Sequence, residues 1–140
     1  MKTLLAVRGV GNRGKSTSVK KAYELLKKAH PTAQVDGDDT RLDIKIVITI
    51  DGVKVGIGSQ GDPTSRLPAS LRYFVEIGCE VIICSTRTSG KTVDAVNALA
   101  SQYVIRWFDK TKILGADEQE SANQEAAHAI FAAAESAIAA

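Results

Sequence analysis

Three glycines, one lysine and one hydroxyl group fall within eight consecutive residues near the N-terminus. The segment reads Gly9-Val10-Gly11-Asn12-Arg13-Gly14-Lys15-Ser16. Glycines let the backbone curl so that successive N–H groups face inward, where they can hydrogen-bond to phosphate oxygens. Lys15 would then reach the β- and γ-phosphates, the Ser16 hydroxyl would take one position on Mg²⁺, and Thr17 would donate to the α-phosphate. The segment therefore predicts a site for the phosphates of a nucleotide.

The elements on either side of this segment are those that such a site needs. Thr3 to Val7 is a short apolar run that predicts a buried strand. After Gly14, apolar residues recur every three or four positions, which predicts a helix with one buried stripe, and His30-Pro31 ends it. A new helix adds free N–H groups and a positive dipole end to the phosphate site. The alternative, a chance match in a glycine-rich turn, does not account for this context.

With the pattern G-x-x-x-x-G-K-[ST] placed between a strand and a helix, the chain resembles the P-loop NTPase superfamily. The resemblance in motif covers about 16 residues, and the order of elements extends it over most of the chain. It implies that residues 9–17 bind a nucleoside triphosphate together with Mg²⁺. It also implies a three-layer sandwich in which helices cover both faces of a sheet.

The order of the remaining elements predicts an α/β fold formed by a single domain, residues 1–140. Alternating apolar residues on both sides of Asp51-Gly52 predict a β-hairpin, because a type I′ turn needs positive φ at both central positions. Helices and apolar strands then alternate, and an alanine-rich helix follows from about Asp117. We expect a mainly parallel sheet of about five strands with one antiparallel strand, and we interpret Ala33 to Leu42 as a polar loop.

A polar segment after the hairpin resembles the one that senses the γ-phosphate in small GTPases. There a D-x-x-G motif follows the second strand of the hairpin, whereas this chain has Gly58 in place of the aspartate. Gly61 still matches the motif glycine, and Gln60 and Asp62 could position the attacking water or hold Mg²⁺. The alternative is an ordinary polar turn in which Asp62-Pro63 supplies turn chemistry.

The base of the nucleotide is expected to be adenine, with GTP the less favoured ligand. No N-K-x-D guanine signature follows the last strand, where the chain reads Phe108-Asp109-Lys110-Thr111. Three further acidic residues, Asp36, Asp38 and Asp39, lie where a GTPase has its switch loop or a kinase its acceptor site. A solvated loop explains them equally well.

A second segment, Ser85 to Thr92, leaves the end of an apolar strand and finishes in Gly-Lys-Thr. Ligands of open α/β sheets bind at the carboxyl ends of the strands. Because Ser85 stands where a second phosphate loop would have its first glycine, we expect Arg87 or Lys91 to reach the γ-phosphate or a second substrate instead. The alternative is a helix cap.

The overall composition limits the other partners. The 140 residues carry a net charge of +2, so there is no strong signal for nucleic-acid binding, which usually appears as a basic face. The apolar start of the chain is too short for a signal peptide and no stretch predicts a membrane span. Cys79 and Cys84 lie about 16 Å apart along a strand, which is too far for a disulfide. We expect a cytoplasmic protein that has reduced thiols, with a protein partner or a second subunit as an open possibility.

Three functions remain on these grounds. The first is a Mg²⁺-dependent ATPase or nucleotide switch, in which Lys15 and Mg²⁺ stabilise charge on the γ-phosphoryl group. The second is a small-molecule or nucleotide kinase, in which Arg87, Arg66 or Arg41 binds the acceptor. The third is a non-catalytic nucleotide-binding module, which is favoured by the lack of an acidic residue directly after the strands that end at Ile57 and Cys84.

Overall fold

The computed structural model describes residues 2–9, 13–41, 43–59, 67–87, 90–109 and 116–140, and of residues 13, 14 and 116–119 it describes the backbone alone. Within these residues, strands and helices alternate as the sequence predicts, so the chain is an α/β protein. The elements are β1 (Thr3–Arg8), α1 (Arg13–Ala29), β2 (Gln34–Asp36), β3 (Lys45–Ile50), β4 (Val53–Gly58), α2 (Leu67–Glu76), β5 (Val81–Thr86), α3 (Lys91–Asn97), β6 (Val104–Asp109) and α4 (Ala116–Ala139).

The sheet is mixed, and its strands lie in the order β2-β3-β4-β5-β1-β6. Strand β1 pairs in parallel with β5 and β6, and β5 pairs in parallel with β4. Strand β3 is antiparallel to both of its neighbours. One strand therefore runs against the other five in the described sheet, which confirms the expectation of a single antiparallel strand.

The expected count of about five strands is wrong, because the segment interpreted as a polar loop contains β2. This strand has only three residues and lies at the edge of the sheet. Gln34 and Asp36 are exposed and Val35 is half-buried. A short edge strand with one partly buried side chain leaves no alternating pattern in the sequence.

Helices cover both faces of the sheet and form two apolar cores. On one face, α1 and α4 pack over the odd-numbered residues of β1, Leu5 and Val7. On the other face, α2 and α3 pack over Leu4 and Ala6. The chain thus has the expected three layers. The alanine-rich α4 lies against α1, and its Glu135 contacts His30 at the end of that helix, with 2.6 Å between Oε1 and Nε2.

Two local predictions are confirmed by the backbone and by burial. The hairpin turn has φ of 51° at Asp51 and 81° at Gly52, the positive values that a type I′ turn requires. Cys79 and Cys84 are free and buried. Burial raises the pKa of the Cys79 thiol to about 11, so this group stays protonated at neutral pH.

The strand order brings several chain ends together at one edge of the sheet. In the β1–β5 pair, Arg8 lies opposite Thr86, so these two strands end side by side. Because β3 runs in the opposite direction, its amino end lies at the same edge. The carboxyl edge therefore combines the ends of parallel strands with the segment that enters β3. In the described part of the chain, no helix has the length and apolarity needed to cross a lipid bilayer.

Candidate phosphate-binding site

Lys15 lies in the first turn of α1 and its side chain is buried, with 4% of its surface exposed. The Nζ atom donates hydrogen bonds to the carbonyl oxygens of Gly9, at 3.0 Å, and Thr86, at 2.6 Å. Gly9 directly follows β1, and Thr86 is the last residue of the neighbouring strand β5. The amine predicted to contact phosphate thus lies at the carboxyl edge of the sheet and not in solvent.

The surroundings of Lys15 disfavour its charged form. Burial, and to a smaller extent the positive charge of Arg87, lowers the pKa of its ammonium group to about 8. Within the described ranges its hydrogen-bond partners are carbonyl oxygens and not carboxylates. A buried cation with neutral partners is costly, and an anion next to it would lower that cost. The electrostatic environment of Lys15 therefore favours the entry of a negatively charged ligand.

Ser16 brings three oxygen atoms together beside Lys15. Its Oγ lies 2.9 Å from Oδ1 of Asp43 and 3.1 Å from the carbonyl oxygen of Ser59. Ser59 is itself held in place, because its N–H donates to the Ile44 carbonyl at 2.9 Å and its Oγ accepts from the Ile44 N–H at 2.8 Å. A hydroxyl, a carboxylate and a carbonyl are the oxygen ligands that Mg²⁺ prefers, so this set fits the cation chemically.

Asp43 is the carboxylate of this site that sequence reasoning missed. Its neighbours alternate between apolar and polar, and the pattern places Asp43 among the solvent-facing positions of the strand. A signal was nevertheless present. The Asp51-Gly52 turn predicts that β3 is antiparallel, and the amino end of an antiparallel strand lies at the carboxyl edge of a parallel sheet. A carboxylate just before β3 is therefore expected near the phosphate segment.

The other acidic residues of the loop before β3 do not reach Ser16. Asp39 accepts a hydrogen bond from the Tyr23 hydroxyl at 2.7 Å, and Asp38 accepts from the Thr40 N–H at 2.9 Å. Asp36 is exposed at the end of β2. Further along the loop, between Asp39 and Asp43, the carbonyl oxygen of Arg41 accepts a hydrogen bond from Lys20 at 2.5 Å. The loop is thus fastened along one stripe of α1, and only its last acidic residue, Asp43, lies at the predicted site.

Arg87 lies directly after β5, beside Lys15. It is half-buried, and its N–H donates to Oγ1 of the buried Thr92 at 3.0 Å. This bond joins the end of β5 to the first turn of α3. Arg87 therefore adds a second positive charge next to the buried amine.

Asp109, at the end of β6, is occupied by an interaction with β1. Its carboxylate accepts from Arg8 at 2.7 Å, and the guanidinium carbon of Arg8 lies 4.4 Å from the centre of the Trp107 ring. The hydrogen bond from Arg8 lowers the pKa of Asp109. This carboxylate is thus engaged with the chain itself.

Seven of the candidate residues lie outside the described residues: Val10, Gly11, Asn12, Gln60, Gly61, Asp62 and Arg66. Of the other residues of the motif, Arg13 and Gly14 belong to the backbone of the first turn of α1, and Thr17 is half-buried in that helix. The described part of the site therefore consists of Gly9, Lys15, Ser16, Asp43, Ser59, Thr86 and Arg87.

Comparisons of the chain with models of protein families, with curated proteins and with solved structures gave no match. Function is therefore inferred from the residues of the motif and from the geometry around them.

Proposed function

We propose that the protein binds ATP together with Mg²⁺ through residues 9–17 and acts as an ATPase or a nucleotide switch. In this proposal the backbone of the glycine-rich segment and the start of α1 hold the phosphates. Lys15 contacts the β- and γ-phosphates, and Ser16 supplies one ligand to Mg²⁺. Arg87 adds positive charge on the γ-phosphate side of the site.

The placement of Lys15 is the observation that carries the proposal. A lysine ordinarily keeps its ammonium group in water, yet this one is buried with carbonyl oxygens as its hydrogen-bond partners. Carbonyls can be exchanged for phosphate oxygens with a gain in charge complementarity, because a charge-assisted bond to an anion is stronger than one to a neutral acceptor. A purely structural role for this residue would be filled better by an apolar side chain.

The end of β6 supports ATP over GTP. A guanine-binding aspartate would have to present its carboxylate to the base, and the nearest candidate in the sequence is Asp109. That carboxylate is paired with Arg8. Recognition of guanine would require this ion pair to open, whereas adenine needs no carboxylate at that position.

Calorimetric titration with ATP, GTP and ADP, each with and without Mg²⁺, tests the proposal. Wild-type protein should bind ATP, and Lys15→Ala should weaken binding by at least about 30-fold, since losing a charge-assisted contact costs 2 kcal/mol or more. Lys28→Ala is the matched control, because Lys28 is an exposed lysine on the same helix. Equal affinities in all three proteins, or no affinity in wild type, would contradict the proposal.

A non-catalytic nucleotide-binding module is the second candidate, and the strand ends favour it. Strand β4 ends at Gly58 and is followed by Ser59, and β5 ends at Thr86 and is followed by Arg87, so neither is directly followed by a carboxylate that could polarise an attacking water. Release of phosphate from Mg-ATP distinguishes the two candidates. Turnover that Lys15→Ala abolishes supports the ATPase, and tight binding without turnover supports the module.

A further inference from the structure

We propose that Asp43 supplies the protein carboxylate that binds the divalent cation of the nucleotide. This inference rests on the proposed function, since the cation is the one that accompanies ATP. It assigns to the segment before β3 the role that the sequence alone had given to Asp62.

The distances around Ser16 fit an octahedral cation. Mg²⁺ binds oxygen at about 2.0–2.1 Å, so neighbouring ligands of an octahedron lie roughly 2.9 Å apart. The Oγ of Ser16 is 2.9 Å from Oδ1 of Asp43 and 3.1 Å from the carbonyl oxygen of Ser59. The hydroxyl and carboxylate oxygens thus already have the spacing of adjacent ligands. Rotation of the Ser16 hydroxyl hydrogen would free a lone pair for the cation without moving the heavy atoms.

The backbone holds Asp43 at this place. The next residue, Ile44, exchanges two hydrogen bonds with Ser59, one through each of its backbone polar groups. Two residues earlier, the carbonyl of Arg41 accepts a bond from Lys20 of α1. Asp43 is therefore anchored on both sides, and its carboxylate is presented to Ser16 by segments that are fixed to the sheet and to the helix. Ligands held in advance lower the cost of ordering the site.

The charge of Asp43 is also available to a cation. Among the described residues near the carboxyl edge, Asp109 pairs with Arg8, and Asp38 lies 3.8 Å from the guanidinium of Arg41. The ion pairs found in the described ranges do not include Asp43, whose hydrogen-bond partner there is a neutral hydroxyl. A carboxylate without a positive partner gains most from a divalent ion.

Calorimetry tests the assignment by measuring the affinity for ATP of wild type, Asp43→Asn and Asp62→Asn. Each protein is titrated in excess EDTA and again in saturating Mg²⁺. Asp36→Asn is the control for loss of one negative charge, since Asp36 is exposed on the same loop. Asparagine keeps the shape of aspartate. In EDTA we expect Asp43→Asn to bind ATP as tightly as wild type or slightly more tightly. The factor by which Mg²⁺ increases the affinity for ATP should be at least about tenfold smaller in Asp43→Asn than in wild type.

Electron paramagnetic resonance of Mn²⁺ gives a second readout that is independent of turnover. With protein in excess over ATP, the fraction of Mn²⁺ held in the protein complex, as distinct from free Mn-ATP, should fall in Asp43→Asn and stay at the wild-type level in Asp36→Asn. If Asp62→Asn loses the Mg²⁺ effect and Asp43→Asn keeps it, the assignment to Asp43 is overturned while nucleotide binding stands. If no variant loses it, none of these three carboxylates is needed, and the assignment to Asp43 fails equally. Wild-type protein with no affinity for ATP overturns both proposals.

Discussion

The Nζ atom of Lys15 lies 2.6 Å from the carbonyl oxygen of Thr86, which is 71 residues further along the chain. The same carbonyl accepts the N–H of Gly9 at 3.3 Å. A single backbone oxygen at the end of β5 thus contacts both the start of the glycine-rich segment and the lysine that closes it. The protonation of Lys15 is consequently tied to the packing of three elements and to any anion that binds among them.

Binding of ATP should weaken as the pH rises through about 8. The pKa of Lys15 in the free protein is about 8, and bound phosphate would raise it, so binding above that pH requires uptake of a proton. Affinity is then expected to fall by up to about tenfold per pH unit until the pKa of the complex is reached. Titration calorimetry in two buffers with different ionisation enthalpies measures the proton uptake directly. Affinity that stays constant from pH 7 to 10 would mean that Lys15 does not contact the phosphates.

Stability of the ligand-free protein should respond to pH in the opposite sense. The folded pKa of Lys15 is lowered to about 8 from an ordinary value of 10.5, so between these values the unfolded chain binds more protons than the folded one. The free energy of unfolding therefore rises with pH in that window, by up to about 3 kcal/mol relative to Lys15→Met, and the difference is flat below it. Urea denaturation of both proteins at pH 7, 8, 9 and 10 checks the sign. If the free energy of unfolding of wild type fell with rising pH relative to that of Lys15→Met, the lowered pKa would be contradicted.

The sequence predicts the elements well because the chain follows simple periodicities. The strand before Gly9, the helix after Gly14 and the hairpin turn at Asp51-Gly52 each have a local signal, and each was found in place. The short β2 has no such signal, since only Val35 of its three residues is even half-buried. Local patterns also do not give strand order. That β5 lies between β4 and β1 follows from packing of the whole sheet.

Some residues of the candidate site could be predicted from local sequence, and others could not. Lys15 and Ser16 could be predicted because the motif fixes their spacing within one turn of chain. The distant oxygens that they contact could not, because the backbone carbonyls of Thr86 and Ser59 are brought close by strand order. Predicting Asp43 would have required the direction of β3 as well. Side chains that meet across distant segments are specified by topology, and topology is a property of the fold as a whole.

Replacing Tyr23 by phenylalanine should destabilise the protein by about 1–2 kcal/mol. The Tyr23 ring is buried and its hydroxyl donates to the carboxylate of Asp39 at 2.7 Å, which is a charge-assisted bond. Loss of the hydroxyl also frees the loop before β3 from the middle of α1. Urea denaturation measures the change in the free energy of unfolding, and hydrogen exchange should show faster exchange in residues 37–41.

Tyr73→Phe is the control for this substitution. Tyr73 lies on α2 with 41% of its surface exposed, and the ring that Lys45 covers at 4.6 Å is kept in the variant. We expect a change below about 0.5 kcal/mol for it. If the two variants lose the same stability, the bond between Tyr23 and Asp39 does not hold the loop.

Replacing Gly56 by alanine should destabilise the protein by about 1–3 kcal/mol, because the ring of Phe74 lies against the position that a side chain would take. A Cβ atom at Gly56 would be 2.5 Å from Cγ of Phe74, and this ring is fully buried between α2 and the sheet. Gly58→Ala is the matched control on the same strand, since its Cβ would meet Phe74 at an ordinary 3.5 Å. Chemical denaturation of Gly56→Ala, Phe74→Ala and the double variant forms a mutant cycle. Alanine lacks the Cγ and Cδ atoms that a Cβ at Gly56 would meet, so the double variant should be more stable than the sum of the two single losses predicts. Strict additivity would show that the two residues do not compete for the same space.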